Sequence, residues 1–269
     1  RKSPTLSWLD KNMNWLLCRL IGLKLRKTFG GKLDFFGIGG AKLDVEVEKF
    51  LLKARFPYAV GYGLTETSPL LSFTLGGNRV PGSIGVPVYG VELKLDNINP
   101  QTGEGEIVAK GPNVMMGYYK DADRTAKVFN SDGWFRTNDL AVLDAKGNYS
   151  IRGRLSNMIL GSSGENIYPE EIEQVINNID VVDESIVLSR GNKLVALVTF
   201  NEDVLDWDHS GEAEFLKKVE ECKSNILSIV NGKVNRSSRL SAVQVLQEPF
   251  EKTATRKIRR FKYVNVEGI

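Results

Sequence analysis

The sequence is short of the residues that most often carry metal and nucleophile chemistry. Its 269 residues include one histidine, His209, and two cysteines, Cys18 and Cys222. That count alone excludes a His/Cys zinc cluster, a two-histidine iron site and an iron–sulfur cluster. A Ser-His-Asp or Cys-His device would have to run through His209, which lies in the polar stretch 201–211 with no nucleophile motif beside it. Two cysteines so far apart point to a reducing compartment, not a stapled secreted fold. No apolar run approaches the roughly 20 residues that span a bilayer, and no signal-peptide pattern is read. A cytoplasmic location follows as the expectation. Charge of one sign is also lacking. The 36 Lys+Arg stand against 33 Asp+Glu, a formal +3, so composition makes no case for nucleic acid as a partner. Oligomeric state is not legible.

Hydrophobic residues at 42% and charged residues at 26% are those of an ordinary globular protein able to bury a core. The chain opens on Arg1 instead of methionine and is expected to be a piece of something longer. Leu6 to Leu25 reads as an amphipathic helix opened by Ser3 and Pro4, with Leu6, Leu9, Met13, Leu16, Leu20 and Leu23 near helical spacing. The first 32 residues hold eight Lys/Arg and one Asp, so this helix suits peripheral contact with the inner face of a membrane. Docking on a neighbouring or missing domain is the simpler reading. Strand Leu33–Ile38, turn Gly39-Gly40-Ala41 and a helix capped by Asp44 and running to about Lys53 follow. A second strand, Tyr58–Tyr62, delivers Gly63-Leu64-Thr65-Glu66 into a loop. Ligands of α/β sheets bind beyond such carboxyl ends.

Strands and turns are expected over 79–97, a strand over Gly105–Lys110, a helix over Asp121–Phe129, and a hairpin of Leu140–Leu143 with Tyr149–Arg152. The composition changes at 153–157. Beyond it the pattern predicts helix Pro169–Ile179, antiparallel strands Asp183–Leu188 and Lys193–Phe200 around Gly191-Asn192, helix over most of 211–230, and strand Ala242–Leu246.

Tyr62-Gly63-Leu64-Thr65-Glu66 gathers an aromatic face, a glycine, a hydroxyl and a carboxylate just after a strand, the parts a nucleotide–magnesium site needs. An edge turn with a solvated glutamate is the plain alternative. Asp139, read at the start of a strand, can accept two hydrogen bonds from a ribose diol. Arg154 can reach the same ligand with its donor fork, although either residue alone reads more simply as a surface ion pair. Met115, Met116, Tyr118 and Tyr119 suit an apolar channel or a packed core, and Trp134 a core. The tail carries Lys252, Arg256, Lys257, Arg259, Arg260 and Lys262 with no acidic residue among them. Solvated face, nucleic-acid patch and phosphate-neutralising element all fit that pattern.

Taken in order, these motifs resemble the acyl-CoA synthetases of the adenylate-forming superfamily, and within them the long-chain fatty acid–CoA ligases. The resemblance rests on Gly39-Gly40-Ala41, Tyr62 to Glu66, Gly103 to Tyr118, Asp132 to Asp139, Gly153 to Ile159, Gly164 to Pro169 and Lys252 to Ile258. It implies an α/β fold in which residues 1–155 form the C-terminal part of the large AMP-binding domain, a partial α/β sheet plus a small β subdomain. Residues 156–269 would form a small, mobile α+β C-terminal domain hinged at Ser156 and Asn157. By resemblance, Gly39, Gly40 and Ala41 lie along adenine and Tyr62 stacks on it beside Gly63. Thr65 contacts the α-phosphate, Glu66 helps bind Mg2+ and Asp139 holds the ribose hydroxyls. Lys257, more than Lys252, meets the charge that develops during adenylation. Gly161 and Gly164 approach the pantetheine of coenzyme A.

The implied substrates are ATP, a fatty acid and coenzyme A. The fatty carboxylate attacks the α-phosphate of ATP and releases pyrophosphate; the thiol of coenzyme A then attacks the acyl carbon and releases AMP. An acyl-carrier-protein thiol, another carboxylate and a non-catalytic homologue are the alternatives. The family's phosphate loop and most of its acyl pocket would lie upstream of Gly39, outside this sequence, so the chain by itself is expected to be inactive. Two departures stand out: Asn138 and Arg256 occupy positions where the family commonly has glycine.

Overall fold

The computed structural model describes residues 8–74, 76, 79–161, 164–201 and 212–264. Ser3, Pro4, Leu6, His209 and Gly211 lie outside them. The chain divides into two compact units, Arg1–Arg152 and Gly153–Ile269.

The first unit begins with α1 (Trp8–Thr28). Its expected apolar stripe is not its packing face: Met13, Leu16, Leu20 and Leu23 are all more than half exposed. Cys18 and Gly22 are buried instead, where α1 crosses α2 (Val45–Lys53). A Cβ on Gly22 would sit 2.3 Å from the Ala54 carbonyl oxygen, so only glycine permits this crossing. Asp44 caps α2 as expected, its Oδ1 accepting the N–H groups of Glu46 (2.8 Å) and Val47 (3.0 Å).

Strand β1 covers only Phe36–Ile38, so the predicted strand from Leu33 is shorter at its front end. It runs parallel to β2 (Tyr58–Gly63), with Ile38 opposite Val60. The two carboxyl ends therefore share one edge, and the turn at Gly39 and the loop after Tyr62 leave from it. β3 (Leu70–Phe73), which the sequence pattern did not reveal, and β4 (Val86–Pro87) complete this sheet in antiparallel order.

A second sheet of the same unit has the order β5 (Glu92–Asp96), β6 (Gly105–Lys110), β7 (Phe135–Leu143), β8 (Tyr149–Arg154). Helix α3 (Ala122–Val128) is capped by Asp121, which accepts the Arg124 N–H at 2.9 Å. Tyr62 and Leu71 from the first sheet pack with Ile107, Ala109, Ala141 and Tyr149 from the second. This shared core sets the Tyr62 side chain of β2 within reach of β7.

The second unit is a three-stranded sheet, β11 (Val182–Arg190), β12 (Lys193–Phe200) and β13 (Leu240–Leu246), preceded by the two-stranded ribbon β9 (Ile159–Leu160) and β10 (Asn166–Ile167). Gly191 and Asn192 both take positive φ (53° and 61°), the geometry of a two-residue hairpin turn whose twist matches its strands. β13 pairs parallel to β12. Helices α4 (Pro169–Asn177) and α5 (Glu212–Lys233) cover one face, with Ile172, Ile176, Ile226 and Val230 buried against Val187, Ala196 and Val198. The tail covers the other face: Phe250, Ile258 and Tyr263 pack on Ile186, Leu188, Val195 and Leu197. With both faces covered, β12 reads as a continuous apolar run instead of an alternating one.

Candidate functional site

In the first unit the Tyr62 hydroxyl donates to Asp139 Oδ2 at 2.7 Å. The residues are 9% and 5% exposed, so the bond is made out of water, where hydrogen bonds are electrostatically stronger. Asp139 lies in the middle of β7 and not at a strand start. It reaches Tyr62 because β7 carries extra residues: between the pairs Glu106–Leu140 and Val108–Arg136, Ile107 alone faces Thr137, Asn138 and Asp139. Such bulges re-aim side chains.

The loop after β2 is tightly fixed. The backbone at Gly63 passes so close to Pro69 that a Cβ there would lie 1.6 Å from its carbonyl oxygen. Thr67, fully buried, takes the Leu64 N–H at 3.0 Å and sits 2.6 Å from the Pro69 carbonyl. Asn113 Nδ2 donates to the carbonyls of Thr67 (2.9 Å) and Leu70 (2.8 Å), and the Glu66 carbonyl accepts the Met115 N–H at 2.8 Å. Thr65 is exposed at the loop surface and Glu66 half-buried.

Glu66 Oε1 accepts the Tyr118 hydroxyl at 3.0 Å, and the Arg124 guanidinium lies over the Tyr118 ring at 3.9 Å. Burial, followed by the bond to Glu66 and its charge, pushes the Tyr118 phenol above its usual range, with Arg124 opposing. Tyr118 therefore stays a donor at neutral pH. Met116 and Tyr119 are not core, being 100% and 87% exposed. Trp134 is likewise not core: it is half-buried, with Lys94 Nζ 4.3 Å from its ring centroid.

Gly39, Gly40 and Ala41 form an exposed turn beside Gly61, whose carbonyl oxygen would lie 3.3 Å from a Cβ on Gly39. That open backbone fits a flat heterocycle. Among the described residues no three His, Cys, Asp or Glu side chains gather into a metal cluster. Glu66 offers a single hard carboxylate with acceptor sites to spare. This suits Mg2+, which is commonly bound through one or two carboxylates with phosphate and water completing its shell.

In the second unit, Lys257 stands at the end of a small hairpin. The Thr253 N–H donates to the Lys257 carbonyl (2.8 Å), the Lys257 N–H to Thr253 Oγ1 (3.1 Å) and the Arg256 N–H to the Thr253 carbonyl (2.9 Å). Arg256 has φ 59°, in the left-handed region that favours glycine. Lys252 is turned to Glu184 at 2.7 Å, whereas the exposed Lys257 makes no ion pair among those the described residues show. The tail is anchored by Arg260, whose Nη1 and Nη2 each meet a Glu173 carboxylate oxygen at 2.7 Å. Arg154 ends β8, and its carbonyl accepts the Met158 N–H at 3.0 Å. Gly161 and Gly164 bracket the turn between β9 and β10, the Gly161 N–H donating to the Glu165 carbonyl (2.8 Å) and the Gly164 N–H to that of Gly161 (3.0 Å).

The structure thus joins Tyr62 to Asp139 and sets Glu66 against Tyr118; Thr65 points to neither pair by any described bond. Sequence reasoning assigned no role to Glu106, Arg136 or Asn113, and it read Tyr118 as channel or core, not as the partner of Glu66. The one signal for Glu106 was a charge preceding the apolar run Ile107–Ala109 in a strand.

Residues 13–119 match the family described as AMP-binding enzyme, and residues 156–265 match that described as AMP-binding enzyme C-terminal domain. A chloroplastic long-chain-fatty-acid–[acyl-carrier-protein] ligase of Arabidopsis thaliana is 31% identical over 92% of the chain and 36% of its own length. The peroxisomal long chain acyl-CoA synthetase 6 of the same plant is 33% identical over 86% of the chain, again 36% of its own length. The chain therefore spans little more than a third of these relatives. The O-succinylbenzoate coenzyme A synthetase of Bacillus subtilis, in complex with ATP and magnesium ion, is similar in fold, with a TM-score of 0.68 and 23% identity over 89% of the chain and 49% of that structure. On these matches and its mixed α/β architecture, the chain belongs to the AMP-binding, adenylate-forming ligase family.

Proposed function

We propose that this chain serves as the C-terminal part of an ATP-dependent ligase that activates a long-chain fatty acid to its acyl-adenylate and passes the acyl group to coenzyme A. Residues 1–155 belong to the large nucleotide-binding domain and 156–269 to a mobile domain. The observation that carries the reading is the Tyr62–Asp139 contact, which joins two motif side chains 77 residues apart at one buried locus. Tyr62 offers its ring to adenine and Asp139 its carboxyl to a ribose diol. Gly39, Gly40 and Ala41 leave the same sheet edge as Tyr62, and the Gly63 approach holds the loop that carries Thr65 and Glu66, the residues assigned to the phosphates. Glu66 would hold Mg2+, which supplies charge neutralisation at the phosphates. Lys257, held in its hairpin without a carboxylate partner among the ion pairs described, stabilises the negative charge that builds as pyrophosphate leaves. Arg154 acts on the nucleotide, and Gly164, with open space where a Cβ would stand, leaves backbone room for the pantetheine arm beside Gly161. A peripheral position at a membrane surface suits the exposed apolar and basic face of α1.

The name of one relative favours a second reading of the last step, in which an acyl-carrier-protein thiol takes the acyl group. The test is AMP release by the intact ligase with ATP, Mg2+ and palmitate, and either coenzyme A or acyl carrier protein as acceptor. Release that needs palmitate and coenzyme A supports the proposal, and release with acyl carrier protein alone moves the acceptor. No release with any carboxylate overturns the enzymatic reading. The 269-residue chain alone is expected to turn over far below the intact ligase.

A further inference from the structure

Glu106 is 4% exposed in a strand whose neighbours Ile107, Val108 and Ala109 are wholly buried. A charge in such a position is costly unless fully bonded, and here it is. Its Oε2 takes Arg136 Nε at 3.0 Å and Nη2 at 2.6 Å, while Oε1 takes the backbone N–H of Asn138 at 3.0 Å. Asn138 has φ 63°, a left-handed conformation that asparagine tolerates but that still favours glycine. The same bulge is tied from its other flank: Thr137 Oγ1 donates to the Ile107 carbonyl at 2.8 Å and lies 3.2 Å from the Asp139 N–H. The bulge decides which way Asp139 points, because one residue of β6 faces three of β7 there.

We propose that Glu106, with Arg136 as its counter-charge, is the positioning residue for Asp139: its carboxylate holds the left-handed turn at Asn138 that delivers the Asp139 side chain to Tyr62 and to the nucleotide ribose. This rests on the reading of Asp139 as the ribose ligand. Glu106 itself touches no substrate, so its loss acts on nucleotide affinity and leaves the chemical step largely intact.

The experiment measures kcat and the KM for ATP in the intact ligase carrying Glu106→Ala, Glu106→Ala with Asn138→Gly, Glu106→Gln, or Asp139→Ala. Glu106→Ala raises the KM for ATP roughly tenfold with kcat within about threefold. Adding Asn138→Gly restores most of the loss, since glycine holds the left-handed turn without the carboxylate. Glu106→Gln, which keeps an acceptor for Asn138 but not the charge facing Arg136, gives a smaller rise and serves as the reading if Glu106→Ala does not fold. An unchanged KM in the folded Glu106 variants, or no recovery on adding Asn138→Gly, overturns the proposal. An unchanged KM in Asp139→Ala overturns the ribose reading itself; a raised KM in Asp139→Ala with silent Glu106 variants overturns only the positioning role.

Discussion

Arg260 and Glu173, 87 residues apart, meet through two hydrogen bonds of 2.7 Å each, and this pair fastens the tail that carries Lys257 to the sheet. Glu173 also accepts the Val187 N–H at 2.6 Å, and Arg260 donates to the Val187 carbonyl at 3.1 Å, so the pair takes up both backbone polar groups of Val187 on the free edge of β11. Removing Arg260 strands a buried carboxylate. Arg260→Met is expected to destabilise the second unit by about 3 kcal/mol. Urea unfolding of the chain measures it; a loss below about 1 kcal/mol contradicts this anchoring.

Arg256 sits at φ 59° with its side chain exposed. Arg256→Gly should stabilise the hairpin by up to about 1 kcal/mol, and Arg256→Val should destabilise it by about 1–2 kcal/mol, because a β-branched residue is strained there. The shift in the urea midpoint gives the sign. A glycine variant less stable than the valine variant contradicts this account.

Both positions where this chain departs from the family's glycines, Asn138 and Arg256, hold positive φ. The sequence could announce that a glycine was missing but not how the chain tolerates its absence. For Asn138 the answer lies in Glu106 on another strand. Local signals were legible in many places: the Asp44 cap, a helix near Asp121–Phe129, the Gly191-Asn192 turn, and most strands of the second unit. The pairing of β6 with β7 was not, because a bulge shifts register without changing composition. The stripe on α1 misled for a related reason. Periodicity shows that a helix has apolar positions, but the close approach at Gly22 chose the opposite face for packing.

Glu48 carries a pH dependence. It is 1% exposed, and burial pushes its carboxyl above the ordinary 4.5, while bonds from the Gly82 N–H (2.7 Å) and the Tyr58 hydroxyl (3.2 Å) pull partly back. The folded unit thus holds this proton more tightly than the unfolded chain. Its contribution to stability is fully present below about pH 4.5 and is lost as pH rises through the raised value. Glu48→Gln should flatten that dependence in thermal unfolding between pH 4 and 7, values spanning roughly the window a raised carboxyl titrates in. An unchanged slope contradicts it.

Tyr118 orients the carboxylate assigned to Mg2+. Tyr118→Phe in the intact ligase is expected to raise the Mg2+ concentration for half-maximal activity by about tenfold, the usual cost of losing an outer hydrogen bond to a metal ligand. The magnesium titration checks this, and an unaltered midpoint removes Tyr118 from the metal site.

The division of labour between the two half-reactions is tested most directly by Lys257→Ala in the intact ligase. ATP–pyrophosphate exchange driven by the fatty acid is compared with thioester formation from supplied acyl-adenylate and coenzyme A. Exchange should fall by more than about tenfold, as expected when a charge stabilising the transition state is removed, while thioester formation changes far less. Equal losses in the two half-reactions would contradict the account.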